Sequence, residues 1–216
     1  LKGPTAMRFL LLGASGATGG LFMDVATAAG HEVVAFVRDP AKLTPRARVT
    51  TFPGDVRDAD ALADAMCGVD AVVSTLGIGR ARNPADLITD STRALVRAAE
   101  ASGVKRVVIM SAFGVGESLA KGSGMLRLMY KGGRTTFADK AAGERILTDS
   151  DLDWTIAYPG LLTNKSASGV RAVDLAKLDR LPGVPRISRA DVAAFLLGAA
   201  VEGTWSRRTA VLTRNG

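Results

Sequence analysis

The sequence holds one cysteine, one histidine, two tyrosines and two tryptophans, and it contains no long apolar run. A single cysteine, Cys67, cannot form an internal disulfide and fits a reducing compartment, so a cytoplasmic location is expected. The residue itself reads as a small core side chain at a helix end. A single histidine, His31, gives a metal centre or a nucleophile–histidine–acid triad almost no support; it reads as a turn residue at the end of the first helix, either interacting with the helix C-terminus or solvated. Aromatics make up 5% of the chain, poor material for stacking on bases. The 28 lysines and arginines give a net charge of +7, but they are scattered. That argues against nucleic acid as a partner and suits an anionic cofactor equally well. No apolar stretch approaches the ~18 residues of a membrane span, so no membrane partner is expected. With 47% apolar and 23% charged residues over 216 positions, the composition is that of one globular domain.

What the chain does have is an organising stretch, Met7 to Gly20 (MRFLLLGASGATGG). Met7 and Phe9 to Leu12 predict a strand buried on both faces. It runs into Gly13-x-x-Gly16-x-x-Gly19 and a helical pattern carrying Leu21, Phe22 and Val25. Strand, glycine turn and helix in that order are the context of a nucleotide pyrophosphate site. Gly13 permits the tight exit from the strand, Gly16 lets the backbone approach phosphates, and Gly19 lets the helix pack closely. Ser15, Ala17 and Thr18 complete a turn whose unpaired N–H groups, with the helix dipole behind them, face an anion. A glycine-rich turn that binds nothing is the competing reading of the triplet alone.

Strand and helix signals then alternate. Strands are predicted over Glu32–Val37, Arg48–Phe52, Asp70–Ser74, Val104–Met110 and Trp154–Tyr158. Helices are predicted over Ala59–Met66 and Pro84–Ala101, a short strand over Val170–Leu175 and a last one over Arg208–Thr213. This order specifies an α/β fold, a Rossmann-type doubly wound parallel sheet in three α/β/α layers, with ligands at the carboxyl ends of the strands. Arg38 follows the second strand. An acid there would accept from ribose hydroxyls, whereas an arginine can pair with a 2′-phosphate; a solvated loop arginine is the alternative. Asp39 is read as a cap with Pro40 at the first helical position, and Ser188 with Asp191 as a capping pair. Residues 7–216 are expected to form one domain with a small C-terminal substrate-side region, preceded by a six-residue remnant, LKGPTA.

The GxxGxxG spacing with Ala17-Thr18 inside it resembles the short-chain dehydrogenase/reductase superfamily, in its extended and atypical branches, from Met7 to about Leu212. The resemblance implies a role for each loop at the sheet edge. Asp55 and Val56 would contact adenine, with helix capping as the alternative for Asp55. Thr75, Leu76 and Gly77 would run past the ribose and pyrophosphate. Ser111 would bond the substrate carbonyl or hydroxyl, Lys140 would hold the ribose, and Pro159-Gly160 would lie beside the nicotinamide. The superfamily's acid–base tyrosine stands four residues before the lysine. Here that position is Thr136, whose hydroxyl is too weak an acid, while Tyr130 is followed by Arg134 and Tyr158 by Leu162. The departure points to the atypical group, which the Lys140–Glu144 spacing, Trp154-Thr155 and Pro159-Gly160 also resemble. That group contains biliverdin reductase B-type flavin reductases and NmrA-like NAD(P)H-binding proteins.

The resulting expectation is an NADP-dependent oxidoreductase, with NADPH as cofactor and Ser111 and Lys140 as its catalytic residues. It would move a hydride between nicotinamide and a small carbonyl, quinone or flavin-like acceptor. A non-catalytic NADP(H) sensor of the NmrA kind, or a non-redox isomerase or cyclase, would keep the same loops. Residues 114–134 are expected to form a lid carrying Lys121, Arg127, Lys131 and Arg134. Met125, Leu126, Leu128 and Met129 would make its apolar underside or pack in the core. Such a lid suits a planar aromatic or acidic small molecule. Monomer and homodimer both stay open.

Overall fold

A computed structural model describes residues 6–77, 86–129 and 134–215. The run at its start forms β1 (Arg8–Leu12), with Phe9 to Leu12 fully buried. Alternate residues feed two different cores. Phe9 and Leu11 pack with Phe22, Met23 and Leu196, while Leu10 and Leu12 pack with Leu62, Leu95 and Leu147. This two-sided burial is why the strand reads as a continuous apolar run instead of an alternating one. Each such side chain contributes at most about 1.5–3 kcal/mol by leaving water.

β2 (Glu32–Val37), β3 (Val49–Pro53), β4 (Ala71–Ser74) and β5 (Arg106–Met110) follow with one helical element between neighbours, and β6 (Asp153–Pro159) comes after three. Two short strands, β7 (Leu161–Thr163) and β9 (Arg186–Ser188), flank β8 (Val170–Asp174), and β10 (Arg208–Arg214) ends the chain. The main sheet has the order β3-β2-β1-β4-β5-β6-β10-β8. Its order reverses between β1 and β4, the switch point at which a parallel sheet opens a ligand crevice. α1 (Ala17–Ala28) and α6 (Arg189–Glu202) pack on one face, and α2 (Ala59–Ala65), α3 (Leu87–Ser102) and α5 (Arg134–Thr148) on the other. The expected Rossmann-type architecture is therefore present.

Several expectations change in detail. β8 runs antiparallel to β10 at the sheet edge, and β7 pairs with β9 in a separate two-stranded sheet. His31 is buried, not solvated. Its Nδ1 accepts the Met7 N–H at 3.1 Å and its ring meets Phe9 edge-on. Cys67 is exposed instead of core, because Met66 takes the buried position at the end of α2. No helix among the described residues is long and apolar enough to cross a membrane.

The segment expected to be a lid forms a 3₁₀ turn over Gly116–Lys121 and then α4 (Gly124–Met129). Lys121 donates to the Leu175 and Leu178 carbonyls at 2.8 and 2.7 Å. Its charge therefore ties this segment to the 175–183 stretch, which Ser123 also holds through the Gly183 carbonyl. Of the expected underside, Leu126 packs inward and Met125 and Leu128 are exposed; the Met129 side chain lies outside the described residues. Tyr130 and Lys131 lie outside the described residues.

Candidate active site

The glycine turn forms the floor of a cleft of about 300 Å³ at the switch point. Gly13 takes φ +83°, and a Cβ there would come within 2.9 Å of the Thr75 backbone. Thr75 Oγ1 in turn donates to the Leu12 and Gly13 carbonyls, at 3.2 Å each, locking the end of β4 to the turn. Gly16 is the N-cap of α1, with no side-chain cap bond, so the first-turn N–H groups are left for a ligand or water. Gly19 would drive a Cβ into the Gly13 carbonyl. Its smallness is a packing requirement between helix and turn.

Gly13, Ser15 and Gly16 line this cleft together with Arg38, Asp55, Val56, Thr75, Leu76 and Gly77. Ala17, Thr18 and Gly19 form the first turn of α1 behind them. Five further lining residues were not anticipated: Ala14, Phe36, Val37, Arg57 and Leu87. Phe36 stacks on Phe52 at 5.9 Å between centroids, and its ring occupies the space that a side chain on Gly54 would need. Arg57 binds Asp55 through Nε at 2.9 Å and Nη2 at 2.7 Å. The Arg57 hydrogen bond holds the Asp55 carboxyl down at about 2, with Arg38 adding to the effect. Asp55 is thus not a helix cap; Asp58 caps α2 by accepting from Asp60 and Ala61 N–H. The Asp-x-Arg spacing was the available signal for Arg57.

Beside this cleft lies a second, tighter cavity of about 20 Å³, lined by Ser111, Lys140 and Glu144 and sharing the Leu76 wall. Ser111 follows β5, its backbone N–H bonded to the Ala157 carbonyl at 2.8 Å. Lys140 and Glu144 lie one turn apart on α5. That helix is seated on α3 by Asp139, which accepts from the Ile88 and Thr89 N–H groups at 2.9 Å each. Asp139 thereby satisfies the start of α3, where Asp86 makes no side-chain cap bond. Gly143 permits the approach, since a Cβ there would meet Ile88 and Thr92 at 3.0 Å.

Tyr158 comes into this corner from β6 and donates to Glu144 Oε2 at 2.6 Å. Burial, and then the Glu144 charge, push the phenol far above its ordinary value, so it stays protonated. Burial likewise raises Glu144, against the opposing pull of Ser111, Tyr158 and Lys140. Lys140 is lowered by burial, against the charges of Glu144 and Asp139. Glu144 was legible only as the i+4 partner of Lys140, and its bond to Tyr158 was not legible at all. Pro159 and Gly160 line neither cavity. The Gly160 constraint is local, because a Cβ would fall 2.5 Å from the Pro185 carbonyl oxygen.

A family model described as NAD(P)H-binding matches residues 13–202. The chain is 30% identical over 112 residues to a 3-beta-hydroxysteroid dehydrogenase of Mycolicibacterium neoaurum, covering 47% of this chain and 31% of that protein. It spans between about a third and two thirds of the length of the curated relatives it matches. Among solved structures it is similar to ChuY, an anaerobillin reductase of Escherichia coli O157:H7. That match has 25% identity and a TM-score of 0.79, over 96% of this chain and 97% of that one. It shares the fold of a wide-type short-chain dehydrogenase/reductase of Veillonella parvula, solved in complex with NADP. Here the TM-score is 0.81 at 16% identity, over 97% and 95% of the two chains.

Proposed function

The chain belongs to this NAD(P)H-binding family, and we propose that it is an NADP-dependent oxidoreductase acting on a small carbonyl, quinone or flavin-like acceptor. The observation that carries the reading is the adjacency of two cavities across Leu76. One is floored by the glycine turn and flanked by Arg38 and Arg57; the other holds Ser111, Lys140 and Glu144.

The residues present fit a dinucleotide. The turn at Gly13 and Gly16 offers backbone N–H groups and room for a pyrophosphate where side chains would intrude. Thr75, Leu76 and Gly77 form the adjoining wall. Arg38, with Arg57 nearby, supplies the positive charge that a 2′-phosphate would engage. Because Arg57 neutralises Asp55, that acid does not repel the phosphate as a lone carboxylate would. NADP is also the nucleotide bound in the Veillonella structure named above. When bound, NADPH supplies the hydride. Ser111 orients the acceptor by hydrogen bonding, Lys140 gives the site a positive charge, and the apolar wall around Leu76 and Ile109 keeps water from the reacting atoms.

Calorimetric titration with NADPH and NADH, followed by NADPH oxidation with quinone, flavin and carbonyl acceptors, tests the reading. The expected result is NADPH binding at least about tenfold tighter than NADH, about 1.4 kcal/mol, with turnover of one acceptor class. Tight NADPH binding without turnover of any acceptor would instead favour a nucleotide sensor.

A further inference from the structure

Two polar side-chain atoms in the corner beside the cleft, Ser111 Oγ and Glu144 Oε1, are buried and make no hydrogen bond of good geometry among the described residues, although Ser111 lies close enough to act on the Glu144 carboxyl. Both residues line the cavity of about 20 Å³, together with Lys140. A space of that size takes one water, which needs roughly 10–15 Å³ and two to four polar partners. The carboxyl is already oriented, because Tyr158 engages Oε2 at 2.6 Å and leaves Oε1 as its unpaired atom. Among the described residues no ion pair joins Lys140 directly to Glu144. A bridging water would connect all three groups.

We propose that Glu144 is the proton reservoir of this site, joined by one ordered water to Ser111 and Lys140, and that it delivers through Ser111 the proton that accompanies hydride transfer. This rests on the oxidoreductase reading above, and it replaces the tyrosine acid that Thr136 does not provide. Among the described residues, the groups facing Glu144 are Lys140 from its own helix, Tyr158 from β6 and Ser111 from the end of β5. From α3 come only the hydroxyls of Ser91 and Thr92, and Ser91 is spent on the Ile88 carbonyl. Asp139, beside Lys140, is committed to the start of α3. Burial raises Glu144 and lowers Lys140, so their proton affinities move toward each other.

The step balances. The acceptor gains a hydride from NADPH and a proton from the Ser111 hydroxyl. The water then protonates Ser111 Oγ, and the Glu144 carboxyl returns a proton to the water. The Lys140 ammonium reprotonates Glu144 and recovers its own proton from solvent. Each turnover consumes NADPH, acceptor and one solvent proton.

Infrared difference spectroscopy over a pH titration tests the reservoir without needing turnover. Wild-type protein should show the band of a buried protonated carboxylic acid that persists above the ordinary glutamate value of 4.5. Glu144→Gln should lack the band. Ser111→Ala, which leaves the carboxyl in place, should keep it at a shifted frequency. No such band, or a band unchanged in Glu144→Gln, overturns the proposal. With a carbonyl acceptor, kcat should fall as pH rises through the Glu144 titration. Glu144→Gln should lower kcat by about tenfold or more and abolish that fall, with NADPH affinity retained. An unchanged pH profile in Glu144→Gln overturns proton delivery. Failure of wild-type protein to bind NADPH would instead sink the oxidoreductase reading, whatever the infrared result.

Discussion

The dinucleotide cleft and the Ser111–Glu144 corner lie side by side, share Leu76, and are made of different materials. The cleft is largely backbone. Its shape comes from Gly13 in a left-handed conformation, from the bare N-terminus of α1 and from Thr75 tying two strand ends together. The corner is made of side chains from β5, α5 and β6, and each polar group there is buried. A backbone site depends on absent side chains, so it is vulnerable to additions. A side-chain site depends on partners, so it is vulnerable to deletions.

The sharpest break should come from adding bulk to the turn. Gly16 has φ −80° and a Cβ there would touch only the Gly13 carbonyl at 3.2 Å. Gly16→Val should therefore keep its melting temperature while losing NADPH affinity by two orders of magnitude or more, about 2.8 kcal/mol. Gly19→Val should behave oppositely, losing roughly 1–3 kcal/mol of stability through overpacking. Calorimetric titration and thermal melts on the pair separate the two roles; identical behaviour would contradict them.

A deletion in the corner is the counterpart. Tyr158→Phe removes the donor to Glu144 and should cost roughly 1–3 kcal/mol in denaturant unfolding, with NADPH affinity unchanged. A loss of cofactor binding would mean that the two regions are not separable as described.

Next in size is the selectivity of the cleft. Arg38→Ala should reduce the preference for NADPH over NADH by about tenfold, read from the ratio of the two dissociation constants. An unchanged ratio would remove Arg38 from the 2′-phosphate site.

A smaller effect is expected in the pH dependence of stability. The folded value of Glu144 is raised above the ordinary 4.5. The stability it contributes is therefore complete below about pH 4.5 and is lost as pH rises through the folded value. Unfolding free energy of wild-type protein relative to Glu144→Gln should decline across that window; a rise would reverse the assigned cause. The smallest effect belongs outside both regions. Leu128 is 65% exposed on α4, and Leu128→Ser should change stability by no more than about 0.5 kcal/mol.

The sequence by itself determined the features that repeat locally. Alternation of buried apolar runs with helical patterns specified the strand order's class, and the glycine triplet located the cleft, because these signals depend on neighbours a few residues apart. Asp39 and Ser188 were legible as caps for the same reason. Tertiary structure alone decided the rest. His31 became a core residue because Met7 and Phe9 meet it from 24 and 22 positions away. The burial of Lys121's charge bonds against Leu175 and Leu178 depended on a loop more than fifty residues on. The Tyr158–Glu144 bond joins a strand to a helix across a packed interface. A carboxylate's partner and its loss of water are properties of what folds against it, and no spacing along the chain encodes them.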